Sequence, residues 1–176
     1  NISIMTTLEA VQNEVKTVKK DEKIKKICFI LSKSSMDSAY AAMVMANGAR
    51  MDGIEADMFF TFFGLDAITK KKMTDLHQPT VGNPSFPFPA MIGGLPGMEA
   101  LVTSQMKKEM ERLDMPPVDE FMEMISMSGG KIYACKLAMD MFKLKKEDMV
   151  DYLDGVLTIG DFYARAAGDG THIIFI

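Results

Sequence analysis

Lys26-Ile27-Cys28-Phe29-Ile30-Leu31-Ser32-Lys33 decides the fold. It is a continuous apolar run that ends in small polar residues, the pattern of a strand buried on both faces rather than a half-solvated, alternating one. Ser34-Ser35-Met36-Asp37 follows at once and supplies N-cap chemistry. Ala39, Ala42, Met43, Ala46, Ala49 and Arg50 then recur at helical spacing until Asp52-Gly53 ends the run. This predicts a helix over 36–51. Glu55 to Phe62 is a second strand, rich in Met and Phe. Strand, helix and strand in succession form a βαβ unit, parallel and right-handed.

The alternation continues outward. A short helix is expected over 66–72. Gln78 to Gly97 carries Pro79, Pro84, Pro87, Pro89 and Pro96, so it cannot be a regular helix or a central strand. Its Phe86, Phe88, Met91, Ile92 and Leu95 are too apolar for free solvation, which predicts burial at a subunit interface or over Cys135. Gly93-Gly94-Leu95-Pro96-Gly97 lacks the Lys-Ser/Thr of a phosphate loop and reads as a turn before a helix. Met98 to Leu113 is helical, with Val102, Met106, Met110 and Leu113 on one stripe. Met115-Pro116-Pro117 breaks it, and a helix over 118–127 follows. Lys131 to Cys135 is a strand, succeeded by a helix to Phe142, an amphipathic helix over 145–153, a strand over 155–158, a helix over 160–167 and a last strand over 172–176. The fold class is therefore α/β: three layers, α/β/α, around a mainly parallel sheet of about five strands.

Composition narrows the function. The chain has 176 residues, 48% hydrophobic and 25% charged, enough for one domain with a full core. A net charge of −4 gives no reason to expect nucleic acid. The two cysteines, Cys28 and Cys135, form neither a disulfide framework nor a structural zinc site. No transmembrane segment and no signal peptide are visible, so a reducing, cytoplasmic location is expected. The 18 methionines fall mostly at helical spacing and read as adaptable core filler; with no Cys or His beside them, a metal role is not assigned.

Residues 1–23 stand apart as an amphipathic segment and linker, with 24–176 as a single domain. Ile4, Leu8, Val11, Val15 and Val18 make a heptad seam of barely two repeats, marginal as a free helix and expected to dock on the domain or on a neighbouring subunit. Truncating residues 1–20 is expected to leave the fold intact.

Cys135 is the candidate catalytic residue. It lies where a strand gives way to a helix, close to unpaired backbone N–H groups and the positive end of a helix dipole, which favour thiolate over thiol. Thiolate is the form that attacks sulfur. Ligands of open parallel sheets bind beyond the carboxyl ends of the strands, where Ser32 to Asp37, Phe62 to Leu65, Ala134 to Lys136 and Ile159 to Asp161 should converge. The competing reading is a small buried core thiol. His77 and His172 are the only imidazoles and show no Cys–His hydrolase arrangement. Cys28, inside the first strand, reads as an inert core thiol.

The order of these segments resembles the DsrE/DsrF-like family. The resemblance rests on Ser35-Met36-Asp37 before an Ala/Met-rich helix, Phe59-Phe60-Thr61-Phe62-Phe63-Gly64-Leu65, Gly93 to Met98, and Lys131-Ile132-Tyr133-Ala134-Cys135 after Gly129-Gly130, with Met139 and Asp140 beyond. It spans residues 24–176. The resemblance implies a sulfur carrier or sulfurtransferase that holds a persulfide on Cys135 and passes it to a partner thiol. It also implies homo-oligomers, and TusA-type carriers or small persulfide or thiosulfonate donors as partners, with no metal or organic cofactor. The substrate-pocket residues expected around Cys135 are Ser32, Ser34, Asp37, Phe63, Gly64 and Lys136. Two other readings remain: a non-catalytic oligomeric interaction module, built on the proline-rich loop and the heptad segment, and a thiol redox sensor or peroxidase.

Overall fold

The computed structural model describes residues 23–81 and 89–176. The heptad segment and the stretch 82–88, which includes Phe86 and Phe88, lie outside the described residues.

Five strands form one sheet: β1 (Lys26–Leu31), β2 (Glu55–Phe60), β3 (Lys131–Cys135), β4 (Gly155–Leu157) and β5 (Thr171–Phe175). Their order is β4-β3-β2-β1-β5, and every pairing is parallel. The carboxyl ends of all five strands thus open on one edge. Among the described residues six α-helices accompany them: α1 (Met36–Met51), α2 (Ala90–Gly93), α3 (Met98–Arg112), α4 (Val118–Met127), α5 (Lys136–Met141) and α6 (Ile159–Ala166).

Side-chain alternation divides the sheet into two faces. Phe29, Leu31, Met58, Phe60, Ile132 and Ala134 point to the α1 side and are all essentially inaccessible. Helix α1 lies close on them because its buried positions include Ala39, Ala42, Ala46 and Ala49. Helix α4 packs beside α1. On the opposite face Phe162 of α6 stacks on Phe59, ring centroids 4.8 Å apart. Two helical layers around a parallel sheet give the three-layer α/β/α architecture that the alternation predicts.

The ends of α1 show how local chemistry fixes a helix. Its first amide, Met36 N–H, donates to the His77 carbonyl, and the Asp37 N–H donates to Gln78 Oε1. Arg50 in the last turn donates to the Ser128 and Ile54 carbonyls, tying α1 to the turn before β3.

The structure corrects three local expectations. The helix expected over 66–72 is instead a 3-10 helix, Phe62–Ile68, that begins immediately after β2. The helix expected over 145–153 shrinks to one 3-10 turn, Lys146–Asp148. Beyond it Met149 bridges Thr69 antiparallel, and Val150 N–H donates to the Ile68 carbonyl. Adjacent Met149 and Val150 are both buried in this strap. On α3 the buried residues are Thr103 and Met110, while Leu113, expected on the apolar stripe, is exposed. Within the proline-rich stretch Met91 and Leu95 are exposed while Gln78, Thr80 and Gly93 are buried, and Ala90–Gly93 forms a single helical turn where no regular helix was expected.

Candidate functional site

Strand β3 is launched by Gly129 and Gly130. Gly129 adopts φ 91°, and a Cβ on Gly130 would come within 2.8 Å of the Ile125 carbonyl oxygen. The strand ends on Cys135, which is at the same time the N-cap residue of α5, with extended backbone at φ −75° and ψ 119°. Its backbone therefore leads into the first turn of α5, whose first N–H groups have no intrahelical acceptor, although its side chain makes no cap hydrogen bond to them. Cys135 is 7% exposed, at the carboxyl edge where ligands of such sheets bind.

The Phe62–Ile68 turn packs against both β3 and α5. Phe62 leaves β2 with φ 46°, a left-handed conformation that costs a non-glycine residue about 1–2 kcal/mol. Gly64 is obligatory: a Cβ there would lie inside the van der Waals envelope of the Leu31 carbonyl oxygen, with the carbonyl carbon at 2.7 Å and Ser32 N at 3.3 Å. This close approach lets the turn sit on the end of β1. The Phe63 ring meets Phe142 at 5.4 Å, joining the turn to the end of α5, yet Phe63 remains 62% exposed. Leu137, the second residue of α5, is 71% exposed. Phe63 and Leu137, on the turn and the helix that adjoin the end of β3, thus present apolar surface outward. Lys136 pairs with Asp140 at 3.0 Å in an exposed i,i+4 bridge, worth about 0.3–0.5 kcal/mol.

Not every expected pocket residue gathers here. Phe63, Gly64 and Lys136 belong to the turn and helix that flank Cys135. Ser32 is two strands away, at the end of β1, where its Oγ donates to the Ile176 carbonyl at 3.1 Å and its N–H to the same oxygen at 2.9 Å. Ser34 lines an open polar cleft with Lys71, Lys72, Asp75, His77 and Glu99. Asp37 stands in the first turn of α1. Burial raises its carboxyl, but hydrogen bonds from Ser35, the Ser38 amide and Gln78 outweigh burial and hold it below its ordinary value. Asp161 is spent on a capping box: its carboxylate accepts from the Thr158 N–H and hydroxyl at 2.9 and 2.6 Å.

One constellation had no counterpart in the sequence reading. Asp57, only 4% exposed, binds Lys26 Nζ at 2.8 Å and Arg165 Nε at 3.1 Å. The Arg165 guanidinium lies 4.5 Å from the centroid of the Tyr133 ring. Burial pushes the Tyr133 phenol up to about 12, the arginine only partly offsetting it. An Asp inside an apolar strand was the available signal, since a buried carboxylate requires partners. Cys28 shares this face with Asp57 by register and is fully buried; burial pushes its thiol up. Tyr133 and Cys135 project to the same face. Two strand spacings and four residues of rise separate the cysteines by roughly 16 Å, beyond disulfide reach. Among the described residues no cluster of three or more His, Cys, Asp or Glu could hold a metal ion, and no helix is long and apolar enough to cross a membrane.

Comparison with known proteins agrees with this architecture. The chain is 33% identical over 135 residues to a protein of Allochromatium vinosum named "Sulfur carrier protein DsrE2", covering 72% of this chain and 84% of that one. It is 26% identical over 162 residues to the uncharacterized protein YrkE of Bacillus subtilis, covering 88% and 99%. A solved protein of unknown function from Methanobacterium thermoautotrophicum shares the fold with a TM-score of 0.53 at 8% identity, over 86% of this chain and 98% of that chain. Residues 23–173, nearly the whole described chain, match the DsrE/DsrF/DrsH-like family, and the protein belongs to it.

Proposed function

We propose that this protein is a sulfur carrier that holds a persulfide on Cys135 and passes its outer sulfur to a partner thiol. The observation that carries the reading is the position of Cys135: a thiol that ends a parallel strand and caps the next helix, in a chain related to a named sulfur carrier. The Cys135 thiolate attacks the terminal sulfur of a donor persulfide. A new S–S bond forms on Cys135, the donor's S–S bond breaks, and the donor leaves as a thiolate. With a thiosulfonate the leaving group is a sulfinate. An acceptor thiolate then attacks the outer sulfur and Cys135 departs as thiolate. No net oxidant is needed, and the step calls for no metal or organic cofactor. The low exposure of Cys135 shelters the outer sulfur from water. TusA-type carriers and small persulfides or thiosulfonates are the proposed partners, the cytoplasm the proposed compartment, and a homo-oligomer the proposed assembly.

The transfer step is tested with isotopically labelled sulfane sulfur. Protein loaded with the label is mixed with an acceptor thiol, and the label is followed by mass. Stoichiometric passage to the acceptor from wild type, and none from Cys135→Ser, supports the reading; label that arrives equally with the variant contradicts it.

A second reading, an interaction module without sulfur transfer, is favoured by one observation. Phe63 on the turn after β2 and Leu137 and Met141 on α5 are exposed, and edge strand β5 presents Ile173 and Phe175. On that reading Cys135→Ser keeps every association and loses nothing.

A further inference from the structure

We propose that the cavity between α1, α3, α4 and the 73–76 segment is a binding site for a small neutral aromatic molecule. It is a partly open cavity with a volume of about 170 Å³. Apolar protein cavities of roughly 150 Å³ take up a benzene-sized ring. Four thioethers line it, from Met36, Met73, Met110 and Met115, together with Tyr40 and Val118. All but Met115 are buried. Unbranched thioether side chains reshape around a guest, and their sulfur makes favourable contacts with aromatic rings. Side chains this adaptable would be expected to close the space; here four of them converge and leave it open.

The surrounding polar groups argue for a neutral guest. Tyr40 Oη donates its proton to the Pro116 carbonyl at 2.9 Å, so the phenol is held in place as part of the wall. The charged residues that border the cavity, Lys107, Glu111 and Asp119, are of mixed sign, and none of them is buried. A charged ligand would leave water without a dedicated counterion. The site lies on the α1 side of the sheet, whereas Cys135 projects to the α6 side and is not among the lining residues. The inference therefore stands independently of the sulfur-carrier reading. It also gives a role to part of the methionine content that core filling alone does not account for.

The test is a titration of the full chain, labelled at its methionine methyl carbons, with benzene. The methyl signals of Met36, Met73, Met110 and Met115 should shift saturably, while those of exposed Met51 and Met127 stay fixed. Val118→Phe, which fills the cavity, should weaken binding by about tenfold or more. Met115→Phe is the companion variant at a half-buried position, in case Val118→Phe does not fold. Benzylamine, cationic at neutral pH, should bind about tenfold more weakly than benzene. Equal shifts at lining and exposed methionines overturn the proposal, as does the absence of any shift at the solubility limit of benzene. Undiminished binding in both filling variants would overturn the location, and tighter binding of benzylamine the neutral class.

Discussion

Gly64→Ala should be the most damaging single-methyl change in the carboxyl edge. The added Cβ meets the Leu31 carbonyl group and the Ser32 nitrogen, all backbone atoms that cannot swing aside. The same Leu31 oxygen accepts the Thr61 N–H at 2.9 Å, so shifting it also disturbs the link between β1 and the exit of β2. Overpacking typically costs about 1–3 kcal/mol, and a backbone neighbour places this case at the upper end, near 3 kcal/mol. In a chain of this length that lowers Tm by about 6–12 °C. Gly48→Ala is the internal control. It lies inside α1 with nothing within 4 Å of the added Cβ, so the substitution should stabilise the helix by about 0.5–1 kcal/mol. Urea unfolding monitored by circular dichroism gives both numbers. A Gly64→Ala stability within about 0.5 kcal/mol of wild type would refute the reasoning, because ordinary surface substitutions fall in that range.

Three further outcomes are expected. Asp57→Asn leaves Lys26 and Arg165 without their buried counterion and should cost about 2–3 kcal/mol in urea unfolding, less than a fully buried pair because Arg165 is 39% exposed; a loss below about 0.5 kcal/mol would show that the triad is not structural. Tyr152 Oη is buried with no hydrogen-bond partner among the described residues, so Tyr152→Phe should be neutral or stabilising by up to about 1 kcal/mol, and clear destabilisation in thermal melts would reveal an unrecognised partner. Asp37 has a folded-state pKa below its ordinary 3.8, so its contribution is present above that value and is lost as pH falls through the folded one. The stability gap between wild type and Asp37→Asn should therefore narrow in acid below about pH 3.8, and a gap that widens there would reverse the sign of the argument.

The fold was readable where strands are buried on both faces. β1 and β3 are near-continuous apolar runs, β2 is one interrupted by Asp57, and helical turns follow all three, so a parallel sheet was the available solution. The 145–153 segment misled because local amphipathicity carries no information about a strap that fastens Met149 to Thr69 across the fold. At the site, the position of Cys135 was legible, since a strand-to-helix junction is a local property. Its neighbours were not. Ser32 is engaged by Ile176 across a sequence separation of 144, and Phe63 by Phe142. Such contacts depend on strand order, and the sequence pattern does not determine which strand flanks β1. Asp161, expected at the carboxyl edge with Ile159, instead spends its carboxylate on a capping box with Thr158.

The central claim is that Cys135 carries sulfur. Intact mass spectrometry after incubation with a low-molecular-weight persulfide, on wild type and on Cys135→Ser, tests it most directly. The account predicts a gain of one sulfur on wild type, reversed by reductant and absent from the variant, with buried Cys28 unmodified in both. An equal gain on the variant, or none on wild type with persulfide and thiosulfonate donors alike, would contradict it.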